Sequence, residues 1–211
     1  MFAFDLKTTL PAPCSVFLSG YQLRVAHIDW STVTRADISG LTVRESLKML
    51  RLLPGMRECT LHNIHEENSV HQLHGNLVHT NLITLDVYII TDQISLFFDH
   101  LTAPSLKELR NERSVESLKP IMTFLRRSSC PLSTLTLIHE ECAIIHDREL
   151  LELLGTTPTL YTLKIYDLDA FDGFFELLDQ PNSHDEESGK CLFLPSLTHL
   201  FMDCRQMFFF L

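Results

Sequence analysis

Six segments of this chain share one pattern of apolar residues, and their spacing dictates what the chain can fold into. They are PGMRECTL from Pro54, NLITLDV from Asn81, APSLKELR from Ala103, CPLSTLTL from Cys130, TPTLYTLKI from Thr157 and LPSLTHLFM from Leu194. Each carries an apolar residue, two variable residues, an apolar residue, one variable residue and usually a further apolar residue. The first anchors are Met56, Leu82, Leu106, Leu132, Leu160 and Leu197, at intervals of 26, 24, 26, 28 and 37 residues. Val33, with Ala36 and Ile38, adds a weaker copy 23 residues before Met56.

The second and third anchors lie two residues apart, the period of a strand with one buried face. Between the strands lie amphipathic segments: LTVRESLKMLRLL, DQISLFFDHL, ESLKPIMTFLRRSS, DRELLELLGTT and FDGFFELLDQ. In the first, Val43, Leu47 and Leu50 recur at helical spacing. Pro104, Pro131, Pro158 and Pro195 stand one or two residues before an anchor, where proline ends the preceding element and spares the strand ladder. One strand and one helix cannot close a core, but stacked copies can. The spacing therefore predicts an α/β leucine-rich-repeat-like solenoid, with parallel strands on the concave face, helices on the convex face and irregular repeats of about 24–28 residues. An ordinary α/β domain with evenly spaced strands is the alternative. One domain over residues 1–211 is expected. Within it, 1–29 reads as an irregular N-terminal segment, 180–192 as an exposed loop insertion that lengthens the last interval, and 204–211 as an uncapped apolar tail. That tail, CRQMFFFL, predicts a fragment or shortened product prone to associate.

LTVRESLKMLRLLPGMRECTLHNI, RRSSCPLSTLTL and TPTLYTLKIYDL resemble the irregular leucine-rich-repeat regions of fungal F-box proteins. LPAPCSVFLSGYQLRVAHIDWSTV is similar to the segment that commonly precedes them, so the resemblance spans roughly residues 10–203. It implies substrate recognition in a ubiquitin ligase, with the repeats holding a protein target. No three-helix F-box pattern precedes the repeats in this chain, so a ligase adaptor is implied only for a longer parent chain that carries one. The regular repeat also places Asn or Cys three residues after the third anchor. Those positions here hold Ile64, Ile90, Ser114, Glu140, Leu168 and Arg205. An orphan or structural repeat protein without a ubiquitin role is the alternative.

Charge excludes other partners. The net charge is −10, so the surplus of Lys and Arg needed to neutralise phosphates is absent and no nucleic-acid partner is expected. No run of about 18 apolar residues is present, so no membrane span is expected. The six cysteines form no CxxC pair, which suits reduced thiols in a cytoplasmic or nuclear protein.

The stretch HNIHEENSVHQLHGNLVH holds His62, His65, His71, His74 and His79, five candidate metal ligands. His65 and His71 are six residues apart, so this is not HExxH and does not set two ligands and a base on one helix face. The stretch reads as a solvated connection, with metal binding or a metal-dependent enzyme as the lesser alternatives. His139, Glu140, Glu141 and Cys142 also read as a connection, and neither Cys14 nor Cys130 has an identifiable His partner. No phosphate-cradling or nucleophile-elbow motif occurs. No enzyme, cofactor or metal is expected.

Partner binding is expected on the sheet. With the anchors inward, the residues between them point outward. These are Glu58, Thr60 and His62, then Thr84, Asp86 and Tyr88, then Glu108 and Arg110. Thr134, Thr136 and Ile138 follow, then Thr162, Lys164 and Tyr166, and finally His199, Phe201 and Asp203. Tyr88, Tyr166 and Phe201 are aromatics at outward positions, as protein-binding surfaces favour.

Overall fold

Apolar residues spaced two apart fold here as strands of one parallel sheet. The computed structural model describes residues 12–19, 28–65, 75–89, 94–112, 117–138, 147–166 and 194–203. The strands are β1 (Ser15–Ser19), β2 (Arg35–Ser39), β3 (Glu58–Ile64), β4 (Leu77–Val78), β5 (Thr84–Ile89), β6 (Leu101–Thr102), β7 (Glu108–Glu112), β8 (Thr134–Ile138), β9 (Thr162–Tyr166) and β10 (His199–Asp203). Eight form one sheet in the order β1-β2-β3-β5-β7-β8-β9-β10, every pair parallel. The short β4 and β6 pair separately, also in parallel. Sheet order thus follows chain order.

Helices occupy four of the crossovers: α1 (Val43–Leu52), α2 (Ile94–Asp99), α3 (Lys119–Ser128) and α4 (Asp147–Gly155). Thr42 and Glu45 open α1 with a capping box. The Thr42 hydroxyl accepts from the Glu45 amide at 3.2 Å, and the Thr42 amide donates to the Glu45 carboxylate at 3.1 Å. Val43, Leu47 and Leu50 are buried, as their spacing predicts. Pro120 sits in the first turn of α3, and Ser129 ends it in the left-handed region with φ 46°.

The sheet's inner face and the helices share one core. Ala36, Ile38, Cys59, Leu61, Leu85, Val87, Leu109, Leu135, Leu137, Leu163 and Ile165 are buried in it with Leu47, Leu50, Phe97, Phe98, Phe124, Leu150 and Leu153. Phe98 meets Phe97 edge-to-face and Phe124 at a tilt, at centroid separations of 5.5 and 5.0 Å. Neighbouring units are also tied by polar contacts. Arg127 of α3 donates to the Leu101 carbonyl at 2.6 Å and to the Phe98 carbonyl, satisfying the end of α2. Glu149 of α4 accepts from the Leu118 amide at 2.9 Å, at the start of α3.

The prolines do more than end helices. Met56, Leu106, Leu160 and Leu197 donate their amides to the carbonyls of Leu53, Ala103, Thr157 and Leu194. Each bond closes a four-residue turn with Pro54, Pro104, Pro158 or Pro195 at its second position, where the fixed φ of proline is preformed. The same turn therefore delivers the chain into β3, β7, β9 and β10.

Two expectations need correction. The segment 1–29 contains β1, a regular strand in register with β2. Leu200, an anchor expected to point inward, is 39% exposed. It sits on the last strand of the described sheet, and no described helix follows to cover it. The insertion at 180–192 and the tail at 204–211 lie outside the described residues.

Candidate functional site

Parallel pairing in constant register sets the outward residues in rows that cross the strands. Glu58, Thr84, Glu108, Thr134, Thr162 and His199 form one row. Thr60, Asp86, Arg110, Thr136, Lys164 and Phe201 form the next. Tyr88, Glu112, Ile138, Tyr166 and Asp203 form a third. His62 lies opposite Ser39 of β2, beside a register shift between Leu61 and Ile64. Asn63 takes up that bulge with φ 51°, a left-handed conformation that asparagine tolerates. All seventeen outward residues named from the sequence thus share one face. Thr136 alone among them is buried.

The same face carries residues that sequence reasoning missed: Ser15, Phe17 and Ser19 of β1, Arg35, Asp37 and Ser39 of β2, and Glu112 of β7. Their signal was present. RADIS alternates as cleanly as the other strands, and Glu112 is the next outward step after Arg110.

Charges on this face are paired across strands and, on β7, along one strand. Arg35 Nε donates to Glu58 Oε2 at 2.6 Å. Arg110 donates from Nη2 to Glu112 at 2.8 Å and approaches Asp86 at 3.8 Å. His62 Nε2 is 3.6 Å from Asp37. Burial raises the Asp86 carboxyl above its usual range, against the opposing pull of Arg110 and His62. Between β5 and β9 the face forms a concavity of about 500 Å³, lined by Thr84, Asp86, Glu108, Arg110, Thr134, Thr136, Ile138, Lys164 and Tyr166. At its far side Tyr166 and Phe201 pack at 5.0 Å. The arrangement offers ion pairing, hydroxyls and an aromatic ledge to a ligand surface.

The histidine stretch divides. His62 belongs to β3, and His65 follows it with Nδ1 2.9 Å from the Asn63 carbonyl. His79 corrects the expectation of a solvated connection: it is 3% exposed, and Nε2 lies 2.8 Å from the Leu53 carbonyl, to which it donates. His71, His74 and the His139–Cys142 stretch lie outside the described residues. Among the described residues no three His, Cys, Asp or Glu side chains are grouped to hold a metal ion. Burial raises the thiols of Cys59 and Cys130, the latter to about 11, which keeps both protonated at neutral pH. No helix among the described residues is long and apolar enough to cross a membrane.

Compared with known proteins, the chain matches no family model, no curated protein and no solved structure.

Proposed function

We propose that the chain is a protein-binding repeat module, a leucine-rich-repeat-like solenoid serving as the substrate-recognition region of an F-box-type ubiquitin ligase receptor in the cytoplasm or nucleus. The observation that carries the binding role is the continuous outward face, on which two rows of side chains cross β3 to β10 and a third crosses β5 to β10. Stacked units that contact mainly their neighbours present such extended faces to partners. The solenoid reading is supported by the agreement of sheet order with chain order and by the recurring proline turn. The ubiquitin link rests on the sequence resemblance, and the adaptor would dock on an F-box in a longer parent chain. A repeat protein without a ubiquitin role would use the same face.

Photo-crosslinking tests the binding role. A benzophenone side chain at Thr84 or Thr162, on the outward face, should capture the cellular partner. The same group at Lys48 or Thr123, exposed on α1 and α3, should not. Capture from the helical positions alone would move the site off the sheet.

A further inference from the structure

Resting on that reading, we propose that the bound segment is an extended peptide with cationic side chains over β2 to β7 and an aromatic or apolar side chain over β8 to β10. The two halves of the face differ in chemistry. On β2, β3, β5 and β7 the outward side chains include five carboxylates, Asp37, Glu58, Asp86, Glu108 and Glu112, against two guanidinium groups, Arg35 and Arg110. The excess is three negative charges.

Both cations are engaged within the face, Arg35 with Glu58 at 2.6 Å and Arg110 with Glu112 at 2.8 Å. Asp86 is left with Arg110 at 3.8 Å, and Glu108 has no ion pair among the described residues. Asp86 is also partly buried, and its carboxyl is raised by that burial. A cation from a partner gains more at such a carboxylate than at one fully in water, because less solvent screens the pair.

On β8, β9 and β10 the charges of Lys164 and Asp203 cancel, and the distinctive groups are apolar. Ile138, Tyr166 and Phe201 line this end, with Phe201 50% exposed. Aromatic ledges of this kind supply anchoring contacts at protein interfaces. Thr134 and Thr162 share these strands, small side chains whose hydroxyls can meet peptide backbone groups.

Geometry sets the spacing. Asp86 on β5 is three strands from Tyr166 on β9 and four from Phe201 on β10. At about 4.8 Å between strands this is roughly 14–19 Å, which an extended chain rising about 3.3 Å per residue covers in about four to six residues. A basic residue four to six positions from an aromatic one therefore fits the face. A polyanion does not.

The test is selection of random 12-residue peptides displayed on phage against the full chain, followed by synthesis of enriched sequences. Lys or Arg should recur four to six positions from Phe, Tyr, Trp or Leu. Affinity of such a peptide should fall on the order of tenfold with Asp86→Asn plus Glu108→Gln, and similarly with Phe201→Ala, while melting temperature holds. A peptide of the same composition with its basic and aromatic residues adjacent should bind more weakly, a comparison that needs no protein variant. Enriched peptides that lose binding with Tyr88→Ala plus Tyr166→Ala, yet carry no basic bias and ignore Asp86→Asn, would overturn this inference and leave the binding face intact. Peptides indifferent to every outward substitution would overturn the binding face itself.

Discussion

Tyr166 and Phe201 form a diagonal aromatic pair across β9 and β10, with ring centroids 5.0 Å apart and planes at 42°. Tyr166 stands opposite Asp203 and Phe201 opposite Lys164, so the rings meet across the register. Diagonal neighbours on one sheet face lie within reach of aromatic side chains. Because Phe201 remains half-exposed, the pair stabilises modestly. A double-mutant cycle with Tyr166→Ala and Phe201→Ala, read by urea unfolding, should give a coupling of about 0.5–1 kcal/mol. A coupling near zero would mean the rings do not touch in solution.

His79 makes stability depend on pH. Its Nε2–H donates to the Leu53 carbonyl, while Nδ1 is buried with no partner among the described residues. Burial lowers its pKa below the ordinary 6.5, although the Leu53 bond opposes this. The unfolded chain therefore takes the proton first. The contribution is complete above about pH 6.5 and is lost as pH falls through the lowered folded value. Unfolding curves between pH 8 and pH 5 should show a loss of stability that His79→Gln diminishes. Identical pH profiles for the two proteins would remove His79 as the source.

Burial separates two leucines that occupy the same repeat position. Leu163 is fully buried in β9, while Leu200 is 39% exposed in β10. Leu163→Ala should cost about 2–5 kcal/mol through lost transfer energy and a cavity. Leu200→Ala should cost under about 1 kcal/mol, since little apolar area is lost there. Chemical denaturation of both variants checks the difference, and equal costs would contradict the exposed position of β10.

Asn111 is an asparagine in an anchor's place. It is 1% exposed, stands between Val87 and Leu137, and its Oδ1 has no hydrogen-bond partner among the described residues. An unsatisfied buried acceptor costs about 1–3 kcal/mol, so Asn111→Leu should raise stability by about 1 kcal/mol or more. A fall in stability would reveal a polar contact that the leucine cannot replace.

The strands were legible because their physics is local. In LxxLxL the two-residue period assigns Leu135, Leu137, Leu163 and Ile165 to one face without knowledge of any neighbour. Repeat lengths near 26 then bring Asp86 beside Arg110 and Thr136 beside Lys164. β1 was missed because Val16, Phe17 and Leu18 are all apolar, so its alternation disappears. Leu200 and His79 were misread because burial depends on what lies above a residue. Leu200 lacks a described covering helix, and His79 finds its partner at Leu53, 26 residues away. No spacing rule encodes either relation.

The central claim is that the outward face of the sheet binds a protein partner. Isothermal titration of the partner captured by photo-crosslinking, against the native chain and Tyr88→Ala plus Tyr166→Ala, tests it most directly. Affinity should fall by about 2 kcal/mol or more, roughly thirtyfold, with melting temperature nearly unchanged. Unchanged affinity in the folded double variant would contradict the claim.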